Sequence, residues 1–409
     1  MNIFIEPSDV LLFRDGRPFS AGEGHRARSI FPPTPNTMQG VIRSKVLAER
    51  CGRYQSYRDG CAQCPEQQTC TIPEEIGKPD KQGRGSYGAM QIRGPLIAQR
   101  QPSSLKVYFP VPADVVQVKD KENPDAIPKL TYLQPLPSEQ QPFGENDLPH
   151  QLLTLWTPET KPVEAATGYW SQEEFRKYLL GEPLAELVQP TQLYTRESRF
   201  GIEVDNRKQT VQEGRLYQTE FIRCEQQVGL YVELEGIRQF SADPAARVGL
   251  IAIGGENRAA SYTEQLQLNW ADLDQQLLEK LKRSAGFKLY LATPTIFKQG
   301  WLPQWLDPHT LEGEHSGIQV KLVATAIARY QTIGGWDVAY NRPKPTYRAV
   351  PAGSVYYFTT KADPEQIIQT FHWKNLADDS FDAQIGFGLS LVGCWNYCHL
   401  KQNTIGEAK

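Results

Sequence analysis

The chain has 409 residues, 40% of them hydrophobic and 22% charged, with a formal net charge of -3. That length and composition suit two globular domains with a core each, and no apolar stretch is long enough to cross a bilayer. MNIFIEPSDVLLF lacks the basic lead-in and small-residue cleavage site of a secretory signal, so the expected compartment is the cytosol, where thiols stay reduced.

The mild net charge hides an uneven distribution. From Arg14 to Arg58 there are nine Lys/Arg and three acids; from Asp120 to Pro190 there are five Lys/Arg and twelve acids. One basic face and one acidic face suit an RNA-contacting subunit that has other partners elsewhere, although a charge bias alone also fits a solvated face.

In chain order, NIFIEP and VLLFR read as a short strand pair leading into an arginine loop with Arg14, Asp15, Gly16, Arg17, His25, Arg26 and Arg28. PPTPNTMQGVIRSKVLAER follows as an amphipathic helix. Thr34 is its N-cap, Pro35 stands where no helical hydrogen bond is lost, and Met38, Val41, Ile42 and Val46 form the apolar stripe. Residues 51–86 are a cysteine-rich insertion. MQIRGPLIA and LKVYFPVP read as strands, and 120–165, dense in proline and acid, as a long surface excursion. SQEEFRKYLLG is a helix with a Ser171/Glu174 capping box and a Gly181 stop. SRFGIEVDNRKQTVQEGRLYQTEFIRC is a hairpin with a polar tip.

Strands VGLYVELEG and VGLIAIGGE come next, then the helix WADLDQQLLEKLKRSAG, with Leu273, Leu277, Leu278 and Leu281 inward and Gly286 as its stop. FKLYLATP, IQVKLVATAIARY and SVYYFTT read as strands, DPEQIIQTFH as a helix and GLSLVGCWNY as the last strand. This order approaches β-α-β-β-α-β, the ferredoxin-like unit. The fold class is therefore α+β. The N-terminal domain is expected at 1–240 with both insertions, and the C-terminal domain at 241–409 with a glycine-rich loop at 386–393.

Cys51, Cys61, Cys64 and Cys70 give C-x9-C-x2-C-x5-C in a polar segment with little core of its own. Four thiolates around a structural zinc ion would organise such a segment; two disulfides, an iron–sulfur cluster and unliganded thiols are the competing readings. Cys224, Cys394 and Cys398 read as core fillers. GRGSYG at Gly83, Gly85 and Gly88 is not followed by a helix, so it is no dinucleotide fingerprint. His309, Glu312, Glu314 and His315 in HTLEGEH miss the helical metal spacing.

TIGGWDVAYNRPKPTYRAVPAGSVYYF interleaves Trp336 and Tyr340 with Arg342, Lys344 and Arg348 behind Gly334 and Gly335, a pattern suited to stacking bases and pairing phosphates. His25 could act as a base on a 2′-hydroxyl in a metal-free ribonuclease, but no partner acid is evident, so contact without chemistry is favoured.

LLFRDGRPFSAGEG with FPPTPNTMQGVIRSK, FGIEVDNRKQTVQEGRLYQTEFIR, IGGEN, LYLATPTIFKQGW, IGGWDVAYNRPKPTYRAVPAGSVYYF and GFGLSLVG resemble, in this order, the third Cmr subunits of type III-B CRISPR effector complexes, in the RAMP superfamily. The cysteine insertion and the proline-rich middle fall outside the match. The resemblance implies two ferredoxin-like domains, a hairpin thumb and a non-catalytic RNA-binding role in defence against foreign nucleic acid. Such a subunit caps the 5′ repeat-derived tag of the crRNA and docks the large polymerase-like subunit and the first backbone subunit. Carried over, the RNA path comprises the arginine loop, Asn36, Thr37, Gly40 and Arg43 at the helix start, and Gly386 and Gly388. The alternative is a metal-free endoribonuclease that processes precursor RNA through His25.

Overall fold

The computed structural model describes residues 1–14, 26–78, 86–119, 128–140, 152–205, 210–241, 247–265, 268, 270–337 and 340–398. The strands of the first half are β1 (Asn2–Pro7), β2 (Gln91–Arg100), β3 (Leu105–Pro110), β4 (Tyr169–Ser171), β5 (Tyr194–Asp205), β6 (Thr210–Cys224), β7 (Val228–Glu235), β8 (Val248–Ile253) and β9 (Arg258–Gln265). The second half adds β10 (Gly286–Leu291), β11 (Glu312–His315), β12 (Ile318–Ala326), β13 (Val355–Thr360), β14 (Lys374–Asn375) and β15 (Leu389–Trp395). The longer helices are α1 (Pro35–Arg50), α2 (Gln172–Leu179), α3 (Ala271–Leu281) and α4 (Pro364–Phe371). The fold is mixed α/β, rich in strands and poor in helix.

Two sheets organise the chain. A seven-stranded sheet runs β4-β3-β2-β7-β1-β9-β8, and a six-stranded sheet runs β11-β12-β13-β10-β15-β14. Within them the sets β2-β7-β1-β9 and β12-β13-β10-β15 are antiparallel throughout. Each set has the strand order of a ferredoxin-like unit. Its full pair of helices is not matched: β8 precedes β9 where a second helix would stand, and the chain from Ala292 to Leu311 is irregular between β10 and β11. The first sheet continues to Gln265, so the division expected at 240/241 cuts through it. The reason is that β1 is a central strand and needs β9 on its far side.

Alternation explains how the layers form. In β1, Ile3 and Ile5 face the core under α1, while Phe4 faces a second core shared with the other sheet. Val228, Leu230, Val232 and Leu234 of β7 repeat the first choice and Tyr231 the second. Gly229 between them is obligatory, because a Cβ there would lie 2.1 Å from the Ile5 carbonyl oxygen. α1 begins as expected, with Thr34 extended and Pro35 first, and it buries Met38, Val41, Ile42 and Val46; Thr34 makes no side-chain cap bond. Gly286 opens β10 instead of stopping α3, which ends at Leu281.

The seam between the sheets is aromatic, with Phe175 of α2 against Phe109 of β3 at 4.5 Å and against Tyr290 of β10 at 4.6 Å. Two acids are buried in it. Asp114 accepts from Tyr178 (2.8 Å) and Tyr357 (2.6 Å), and Lys288 Nζ lies 3.4 Å away. Glu233 accepts from Tyr231 (2.9 Å) and Trp373 Nε1 (2.8 Å). Because donors surround both carboxylates, these charges can stay inside and tie the halves together.

The 120–165 excursion is a working part of this seam where it is described. Leu136 is fully buried, Leu153 N–H donates to the Val323 carbonyl of β12, and the Leu133 carbonyl accepts from Tyr357. Single apolar residues among prolines anchor it without any periodicity. Among the described residues no helix is long and apolar enough to cross a membrane.

Candidate nucleic-acid interface

The arginine loop is rooted against the hairpin β5–β6. Phe13 N–H donates to Ser29 Oγ (3.3 Å), Ser29 Oγ–H donates to the Glu220 carbonyl (2.6 Å), and Arg196 donates to both the Ser29 carbonyl (2.7 Å) and Glu220 (2.5 Å). Leu11 bridges Ile222, Arg14 bridges Ser29, and Arg26–Ala27 pair in parallel with β6. Arg14 and Arg28 are exposed. Asp15, Gly16, Arg17 and His25 lie outside the described residues, as does the Arg26 side chain. The two ends of the loop and the hairpin strands therefore lie side by side, held by one buried glutamate.

From Ile30 the chain lines a cleft of about 210 Å³ and then enters α1. Phe31 and Pro35 form one wall, Pro95 and Tyr108 of the first sheet a second, and Pro294 and Gln331 of the second half a third. Asn36, Thr37 and Gly40 on the first turns of α1 are half-buried, and nothing lies within 4 Å of a Cβ placed on Gly40. The first turn of α1 carries no acid of its own to offset the positive end of the helix dipole.

Gln331 also begins a short ribbon in which Gln331–Ile333 pairs with Tyr347–Ala349, and Trp336–Asp337 pairs with Arg342–Pro343. Its outer surface is built of rings and guanidinium groups. Arg348 lies 4.9 Å and Arg329 5.9 Å from the Tyr330 ring centre, and Arg342 lies 5.4 Å from that of Tyr340. Tyr330 is 46% and Trp336 55% exposed, unusual for rings of this size and suited to stacking on a base. Gly334 and Gly335 precede the tryptophan, with Lys344 Cδ 3.6 Å from a Cβ on Gly335. Burial pushes the Lys344 ammonium down, Asp337 pulls it up and Arg43 on α1 pushes it further down, so ribbon and helix share one electrostatic neighbourhood.

Two expected contributors are otherwise engaged. Arg43 donates to the Ile76 carbonyl (2.7 Å) and the Ser86 carbonyl (2.8 Å) and lies over Tyr87, bracing the cysteine insertion. Gly386 and Gly388 are buried, and their N–H groups bond the Ala383 and Pro294 carbonyls. A Cβ on Gly386 would stand 2.7 Å from the Gly94 carbonyl oxygen. These glycines allow one backbone to approach another and present no exposed amide to a phosphate.

The sequence matches the family described as CRISPR-associated protein (Cas_Cmr3) over residues 3–395. The chain belongs to that family. No curated protein sequence matches it. Among solved structures, it is similar to a chain of the type III-B Cmr-beta complex bound to cognate target RNA, at 15% identity and TM-score 0.49, covering 95% of this chain and 96% of that one. A chain of the Cmr-beta complex bound to cognate target RNA and AMPPnP gives 14% identity and TM-score 0.47, covering 90% and 88%. A chain of a Csm3–Csm4 subcomplex of the type III-A interference complex gives 9% identity and TM-score 0.33, covering 88% and 94%.

Within this Cas_Cmr3 chain, sequence reasoning missed Arg329, Tyr330 and the cleft wall at Pro294 and Gln331. ARYQ, one step before the glycine pair, was the available signal for the first two. HTLEGEH is structural. Glu312 pairs with Lys321 at 2.9 Å, and the His315 ring stands 5.3 Å from both Trp305 and Phe371. Among the described residues no three His, Cys, Asp or Glu side chains stand in ion-holding geometry. Cys394 and Cys398 are buried, and burial pushes the half-buried Cys224 thiol up to about 12.

Proposed function

We propose that this protein is a non-catalytic, RNA-binding subunit of a type III-B Cmr effector complex, holding the 5′ repeat-derived tag of the crRNA. The observation that carries this is the cleft bordered by the root of the arginine loop, the start of α1 and the Tyr330–Arg348 ribbon. Exposed rings stack bases, exposed guanidinium groups pair phosphates, and an apolar cleft admits a base turned out of the strand. The family supports the assembly, in which the large polymerase-like subunit and the first backbone subunit are the protein partners. The two antiparallel strand sets are read as its two ferredoxin-like units, and β5–β6 as the thumb.

Binding without cleavage is favoured because the sequence offers His25 no evident partner acid for a step on a 2′-hydroxyl. The test is incubation of the purified protein with tag-bearing and scrambled RNA in EDTA. Intact RNA retained with preference for the tag is the expected result. Cleavage that disappears in His25→Ala would establish the endoribonuclease instead.

A further inference from the structure

The cysteine insertion has a firm base and a tip without a core. At the base, Arg50 makes a two-pronged bond to Glu75 at 2.6 and 2.8 Å, Tyr57 donates to the Gly77 carbonyl at 2.8 Å, and Ile72 and Ile76 are buried. Gly77 and Gly88 let two backbone runs meet there; a Cβ on Gly77 would stand 1.8 Å from the Ser86 carbonyl oxygen. From Asp59 to Cys70 the chain has only turns, and Cys61 is its one buried residue. Such a segment does not hide enough apolar surface to offset its own ordering.

What the tip has is thiols on successive turns. Cys64 N–H bonds the Cys61 carbonyl at 3.1 Å, and Cys70 N–H bonds the Glu66 carbonyl at 2.9 Å. Cys61 itself is left-handed at φ 64°, a conformation that is strained outside glycine. Gly52 and Gly60, adjacent to Cys51 and Cys61, are left-handed too. With these bends, Cys51, Cys61, Cys64 and Cys70 all line one pocket of about 190 Å³. Arg50, Arg53 and Lys78 line it with Glu66 and Glu74; Arg53 Nη1 lies 3.8 Å from Cys64 Sγ and its Nη2 3.1 Å from Glu66.

We propose that Cys51, Cys61, Cys64 and Cys70 form a tetrathiolate site for one structural zinc ion. On binding, the four thiols give up four protons and four Zn–S bonds form, with no change of oxidation state. The product carries a net charge of two minus, which an N–H···S contact from Arg53 and the Lys78 ammonium would offset. The thiols do not yet converge on one point, so the site closes by their turning inward on loading. This accounts for a strained cysteine at a tip that otherwise has no reason to order. The inference stands apart from RNA binding.

The experiment is metal analysis of the purified full chain, with cobalt replacement as a second readout. The expected result is one zinc per chain, and after exchange the visible bands of tetrahedral cobalt thiolate. Cys64→Ser and Cys70→Ser each lose the metal, and Cys224→Ser keeps it. Limited proteolysis of the wild type should open within 59–70 only after chelation. A wild-type chain with neither zinc nor the cobalt spectrum, metal retained in both serine variants, or an iron–sulfur spectrum in the protein as isolated would each overturn the assignment.

Discussion

The seam around Asp114 and the ribbon around Tyr330 are made of the same parts, a cation beside tyrosine, used in opposite ways. At the seam Lys288 Nζ lies 3.6 Å from the Tyr178 ring centre and 3.4 Å from Asp114, with all three residues buried. At the ribbon Arg348 lies 4.9 Å from the Tyr330 ring centre, and both are exposed. Among the described residues Arg329 and Arg348 face a ring and no carboxylate. A cation enclosed with its counter-charge holds the fold together. A cation stacked on an open ring is held in place with its charge still available to a ligand.

That contrast is most strongly challenged at Asp114. Asp114→Ala leaves the Lys288 ammonium buried without its counter-charge and should destabilise by about 3–5 kcal/mol in denaturant melts. Asp114→Leu combined with Lys288→Met should recover most of the loss, because neither charge then remains; a double variant as unstable as the single would show that packing dominates there.

The next effect belongs to His372, also at the seam. Its Nδ1 accepts from Val392 N–H at 3.1 Å, and burial pushes its pKa from 6.5 to about 4. Below pH 6.5 the unfolded chain takes up a proton that the folded chain refuses until about pH 4. The stabilisation is therefore complete above 6.5 and lost as pH falls toward 4, amounting to about 3 kcal/mol at most. Urea melts of His372→Gln across that window should lack this component; an identical pH slope would assign the acid sensitivity to other groups.

Arg43 sharpens the comparison, since it was expected on the RNA path and is instead bonded to two carbonyls. Arg43→Ala should cost about 2 kcal/mol of stability, the value of charge-assisted bonds, and leave the salt dependence of RNA binding unchanged. A smaller salt slope would return Arg43 to the phosphate path. For Trp336→Ala the expectation reverses: stability is held, and RNA affinity falls by about 1–3 kcal/mol, the value of one stacked base. Unchanged affinity would remove the ring from the interface.

Local signals explain what could be read in advance. Thr34, Pro35 and the Met38–Val46 stripe mark α1 because caps and helical periodicity act within a few residues, and the β5–β6 hairpin is legible for the same reason. Asp114 gives no such signal, since its partners Tyr178, Lys288 and Tyr357 are 64, 174 and 243 residues away. Gly386 shows a different limit. Glycine reports that something approaches the backbone closely, but the sequence does not say whether it is a phosphate or, as here, the Gly94 carbonyl. The ribbon is legible as a composition, whereas its place beside the cleft comes from Gln331, which lines the cleft wall and pairs with Ala349.

The most direct measurement is the affinity of tag-bearing RNA as a function of salt for the wild type, Arg348→Ala and Arg43→Ala. If exposed cations on the ribbon meet the phosphates, Arg348→Ala weakens binding and reduces the magnitude of the log–log slope by about 0.7, one phosphate contact on a single strand, while Arg43→Ala follows the wild type. A wild-type slope in Arg348→Ala together with a reduced one in Arg43→Ala would contradict the account.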